Sequence, residues 1–77
     1  MVPEYSSVVL IEDHPEGGLK AGDVGAVVHN HDEGGFAEVE FVALTGETVA
    51  LLTLPQSAFR LARRNEVPHV RTAEAAE

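Results

Sequence analysis

The stretch Gly18-Leu19-Lys20-Ala21-Gly22-Asp23-Val24-Gly25-Ala26-Val27-Val28 decides the fold. Its first half is a loop punctuated by glycine, with Leu19 as an apolar residue able to anchor it under a sheet. Its second half is rich in β-branched side chains and predicts a strand over 24–29. Gly25 lies inside that strand. A glycine there marks a bulge or a close approach of two backbones, as the corners of small barrels require.

Upstream, Tyr5-Ser6-Ser7-Val8-Val9-Leu10-Ile11-Glu12 predicts a first strand. Asp13-His14-Pro15-Glu16-Gly17-Gly18 then reads as loop, since proline lacks a donor and glycine admits positive φ. Downstream, Asn30 to Gly35 is a polar turn. Phe36-Ala37-Glu38-Val39-Glu40-Phe41-Val42 alternates apolar and acidic residues, a strand with one buried and one wet face. Thr45-Gly46 marks a tight turn. Thr48-Val49-Ala50-Leu51-Leu52-Thr53-Leu54 is nearly all apolar, which predicts a strand in mid-sheet or one covered by another subunit. Pro55-Gln56-Ser57-Ala58 reads as a single helical turn with proline at its start. Phe59-Arg60-Leu61-Ala62 closes the series, with Phe59 and Leu61 inward.

This succession predicts an all-β fold: a small five-stranded SH3-like barrel over residues 1–62, with a short helical turn before the last strand. Residues 63–77 are expected to form a flexible C-terminal tail, or one ordered by a partner.

The chain has 77 residues and no cysteine. A domain this short buries only about 60% of the surface its unfolded chain exposes, so assembly is one route to stability. Without cysteine there is neither a disulfide nor a thiolate metal site. Thirteen acidic residues face five basic ones, a net charge of −8. Such a chain lacks the cations that displace counterions from phosphate, which argues against nucleic-acid binding. Residues 1–59 hold ten of the acids and only Lys20, whereas residues 60–77 hold Arg60, Arg63, Arg64 and Arg71. An acidic body with a short basic patch suits a basic protein partner or neighbouring copies of the chain. No run is long and apolar enough to span a membrane, and the start of the chain lacks the regions of a signal peptide. A cytoplasmic location is expected.

The residues that bear chemistry form no catalytic constellation. The glycine block lacks the Gly-Lys-Ser/Thr ending of a phosphate loop and leads into a strand. No serine stands at a recognisable spacing from a histidine and an aspartate. His29 and His31 would face the same side of a strand and suit a divalent transition metal, but a site there needs a third fixed ligand. Among the aromatics, Tyr5, Phe36, Phe41 and Phe59 fit a core better than a proline-peptide groove. The expected protein-binding residues are therefore charged: an acidic rim of Glu16, Asp23, Asp32 and Glu33, and a basic edge of Arg60, Arg63 and Arg64.

From Val8 to Leu61 the sequence resembles a family of small bacterial domains of unknown function. The residues that carry the resemblance are the block at 19–28, the strand Val39-Glu40-Phe41-Val42 and the turn Gly46-Glu47-Thr48-Val49-Ala50. Some relatives in that family look like the small partner genes of toxin–antitoxin or accessory operons. The turn Gly22-Asp23-Val24-Gly25 is also similar to that of SH3-like barrels in nitrile hydratase β-subunits and in KOW-type modules. The resemblance and the charge together lead to the expectation of a non-enzymatic, protein-binding, antitoxin-like or accessory subunit that needs no cofactor. The alternatives are a self-assembling homo-oligomer and a metal-binding module built on His29 and His31.

Overall fold

The computed structural model describes residues 3–31 and 35–73. It shows five strands: β1 (Ser7–Leu10), β2 (Val24–Asn30), β3 (Phe36–Val42), β4 (Thr48–Pro55) and β5 (Phe59–Leu61). One 3-10 turn, Pro15–Gly17, lies between β1 and β2. A second, Gln56–Ala58, delivers the chain into β5. All pairings are antiparallel, in the order β4-β3-β2-β1-β5. The fold is all-β and barrel-like, but the sheet stays open. β4 and β5 are its two edges.

Strand alternation sets the core. On β3, Ala37, Val39 and Phe41 turn inward, while Glu38 and Glu40 turn out. They meet Val8 and Leu10 of β1, Val27 of β2, Leu54 of β4 and Phe59 of β5 in one buried cluster. Leu19 joins that cluster from the loop, only 4% exposed, and pins the glycine block beneath the sheet. At Gly25 the backbone of β2 lies tight against β3. A β-carbon there would stand 2.8 Å from Phe41 Cε2 and from Val39 Cγ1, and 2.9 Å from the Glu40 carbonyl. The bulge itself comes three residues later, where the β2–β3 register shifts between Val27 and His29.

Three details depart from the sequence reading. β1 runs over four residues rather than eight. Tyr5 adopts φ 68°, a left-handed conformation that no strand continues through. At the other end Ile11 leaves β1's line to donate its N–H to the Ala58 carbonyl at 2.9 Å. Phe36 and Tyr5 are not core residues, being 41% and 77% exposed. Phe36 lies at the first position of β3, opposite Pro55, where no layer covers it.

The third departure concerns β4, which is not in mid-sheet. It pairs only with β3, and its eight residues form an outer edge. Ala50 and Leu52 face inward and are half-buried beneath the first 3-10 turn, where a β-carbon on Gly17 would touch Leu52 Cδ1 at 3.4 Å. Val49, Leu51 and Thr53 face out and are exposed.

Beyond β5 the chain turns at 63–66. Asn65 takes φ 70°, and Glu66 closes the turn by donating its N–H to the Arg63 carbonyl at 3.2 Å. The segment 66–73 then passes over the outer side of β1 and β2 toward the β3–β4 turn. Val67 and Pro68 share one shallow recess with Val9. Val9 is buried yet lies apart from the main cluster, on the opposite face of β1 from Val8 and Leu10.

Candidate protein-binding surface

Each described side chain expected at the surface is placed by a turn or an edge. Glu16 is exposed on the first 3-10 turn, which packs against β4 through Gly17. This sets a carboxylate beside one face of the β4 edge. Glu38 and Glu40 flank its other face, directly across from Thr53 and Leu51. Glu40 Oε2 accepts the Thr48 hydroxyl at 2.6 Å, so this carboxylate is fixed at the strand's N-terminal end. Sequence reasoning missed Glu38 and Glu40 as surface determinants. Their alternation with Val39 and Phe41 was the signal that placed them on the wet face.

The edge itself is the least protected feature of the molecule. Thr48 to Pro55 carries no charged residue. Among the described residues, no backbone hydrogen bond reaches β4 from any strand but β3. Soluble proteins usually guard a long edge with lysine, an internal proline or a bulge. Here Pro55 stands at the last position, and the one register shift lies at the other end, between Phe41 and Val42. Val42, Leu44, Val49 and Leu51 are all exposed and extend the apolar surface around the β3–β4 turn.

Asp23 is engaged within the chain. Its carboxylate accepts the Lys20 N–H at 2.8 Å, which shapes the loop before β2. It also accepts both Nε, at 2.9 Å, and a terminal nitrogen of Arg71 in a two-pronged ion pair. Partial burial raises its pKa, but Arg71 and the Lys20 N–H outweigh that and hold it below the usual 3.8.

Arg60, Arg63 and Arg64 gather at the β5 edge, across the sheet from Glu16. Arg60 holds Glu66 with two nitrogens, at 2.7 and 3.0 Å. That contact and the Arg63 N–H, at 2.5 Å, pull the Glu66 carboxyl down to about 2. Asp32 and Glu33 lie outside the described residues.

His29 and His31 do come together. Their rings meet edge to face, with centroids 5.0 Å apart. Each nitrogen that approaches an acid has its own carboxylate: His29 Nδ1 is 3.4 Å from Glu4, and His31 Nε2 is 3.2 Å from Glu38. Among the described residues, no three histidine, aspartate or glutamate side chains converge as a metal site would need. His14 stands elsewhere, beside Glu12 at 3.7 Å. No helix among the described residues is long and apolar enough to cross a membrane.

Residues 4–61 match a family described as "Domain of unknown function (DUF4926)". The chain belongs to this family. The DUF4926 unit takes in all five strands and both 3-10 turns, and stops where β5 ends. Leu19, Asp23, Glu16, the β4 edge and the β3–β4 turn all lie within it, whereas Arg71 and the segment 62–77 lie beyond it. Neither a curated protein nor a solved structure matches the chain.

Proposed function

We propose that this chain is a non-enzymatic protein-binding module, an acidic accessory or antitoxin-like subunit that receives a strand from a basic partner protein on its β4 edge. One observation carries the reading: eight residues of outer edge without a charge, exposing Val49 and Leu51, between carboxylates on either face. Strand addition uses such an edge directly. Main-chain hydrogen bonds supply affinity, and alternate side chains supply specificity. The acids beside it set the partner's sign. Glu16, Glu38 and Glu40 favour lysine or arginine flanking the incoming strand, and the net charge of −8 steers such a partner at long range. The non-enzymatic part of the reading is supported by where the carboxylates sit, on open turns and strand faces rather than in an enclosed cleft that would shift them toward acid–base work.

The test is a purified partner. A basic protein that co-purifies stoichiometrically is titrated against the wild-type chain and against Leu51→Lys. Leu51 is 56% exposed, so the substitution leaves folding intact. Complex formation should be lost with Leu51→Lys and should weaken steeply as salt rises. Equal binding by wild type and Leu51→Lys overturns the reading. A wild-type dimer already present in dilute, low-salt solution that Leu51→Lys dissolves would replace it with self-assembly through the same edge.

A further inference from the structure

Next to the β4 edge, and meeting it at Val49, the structure has a second surface shaped for a ligand. At the end of the sheet where β2 begins and β3 turns into β4, an open recess of about 570 Å³ lies under the tail. Its floor is apolar: Leu19, Val24, Phe41, Val42 and Val49, with Leu44 at the rim. At one side stand three acceptors in a row, the two carboxylate oxygens of Asp23 and the carbonyl of Gly18. All three are taken by the guanidinium of Arg71, the carbonyl at 3.1 Å. Planar acceptors set for two parallel N–H bonds are the arrangement that selects arginine over lysine.

The tail walls this site without filling it. Arg71 occupies the acceptors, but Val67 and Val70 remain 84% and 75% exposed. The floor keeps its exposed valines, Val24, Val42 and Val49. Among the described residues, no backbone hydrogen bond ties 67–73 to the sheet. The sheet side of the recess and its acceptors lie within the family unit of residues 4–61, whereas its other wall, Pro68 to Ala73, does not.

From this we infer that the recess is a binding groove for an extended segment of a partner protein carrying an arginine with an apolar side chain close by, and that residues 66–73 stand in for that segment within the chain. The partner's arginine replaces Arg71 on Asp23 and Gly18. Its apolar side chain covers the valines that the tail leaves open. Because a segment supplying both displaces one that supplies only the charge, the tail raises the threshold for binding without blocking it. The tail's advantage is that it is tethered, so it acts at high effective concentration from a single strong contact.

The probe is a capped peptide of residues 66–73, added to isotope-labelled full-length chain and followed by NMR. Arg71→Ala frees the acceptors without touching the floor. With that variant, the peptide should give saturable shifts at Gly18, Asp23, Val24 and Val49. Against the wild-type chain the same peptide should bind at least about tenfold more weakly, since the acceptors are already taken. A peptide with alanine in place of its arginine should give no saturable shifts, and a variant carrying Asp23→Ala together with Arg71→Ala should bind neither. Binding of equal strength to wild type and to Arg71→Ala, or none to Arg71→Ala, overturns the proposal. So does a wild-type dimer that Arg71→Ala dissolves and Leu51→Lys leaves intact, because the occupant would then be the tail of a second copy. The two sites meet at Val49, but Leu51, on which the test of the β4 edge turns, does not line the recess, so the two tests can fail separately.

Discussion

Gly25 shows how closely one residue can be tied to a fold. The approach of β2 to β3 leaves no space for a methyl group among Phe41, Val39 and the Glu40 carbonyl. Backbone is among the obstacles, so a side-chain rotation alone cannot relieve the clash. Gly25→Ala should destabilise the domain by about 1–3 kcal/mol, the usual result of forcing extra volume into a packed site. Urea unfolding measures it, and an unchanged midpoint would show that the strands can move apart. Gly25 was legible in the sequence as a bulge or a close approach, and the structure decides for the close approach, with the bulge displaced to between Val27 and His29. Asp23 was legible as an acid on a loop but not as the seat of Arg71. The two are 48 positions apart, and no local pattern of period two or three registers a contact over that distance. Phe36 was misread for a related reason. Alternation fixes which way a residue faces, but not whether anything lies beyond it.

At the scale of elements, the strands were readable and their order was not. The bounds of β2, β3 and β4 follow the apolar runs to within a residue. The helical turn after Pro55 follows from its fixed φ and missing donor. Whether an apolar strand is central or at an edge depends on which strands flank it, and β4's composition suits either place. Its exposure makes a prediction of its own. In concentrated solution at high salt, where repulsion between acidic bodies is screened, wild-type chain should associate and Leu51→Lys should not. Dynamic light scattering against sodium chloride concentration reads this directly.

The tail is the other element whose behaviour can be stated in advance. Asp23 and Glu66 both titrate below their ordinary values in the folded chain, so their pairs with Arg71 and Arg60 contribute fully above those values. They are lost as pH falls through the folded ones. For Glu66 that window runs from 4.5 down to about 2. The amide signals of Val67 and Val70 should hold their positions from neutral pH into mild acid, then move toward those of a free chain as the two pairs are lost. Release at pH 6 would show that neither pair holds the tail.

As a whole, the molecule rests on one small cluster of apolar side chains gathered from all five strands and a loop. A domain of 77 residues has a total stability of roughly 4–12 kcal/mol. Leu54 is 2% exposed at the core end of β4. Leu54→Ala should cost about 2–5 kcal/mol, a large part of that total. Thermal melting followed by circular dichroism should show the midpoint fall sharply, whereas Leu51→Lys, three residues earlier on the same strand, should leave it within a few degrees. The contrast separates the strand's two roles: its inward side holds the fold, and its outer side faces whatever binds it.

The order β4-β3-β2-β1-β5 also governs how the chain is made. β2, β3 and β4 form successive hairpins as they emerge, each pairing with the strand just before it. The outer side of β1 has no such neighbour. It stays unpaired until Phe59–Leu61 arrives to lie along Val8–Leu10, some fifty residues after β1 left the ribosome. Pairings between such distant segments form late and slowly. A chain broken off before Phe59 would therefore leave the buried strand β1 as a raw sheet edge, and only the complete family unit covers it, with the three residues of β5 as the shorter of the two edges that remain.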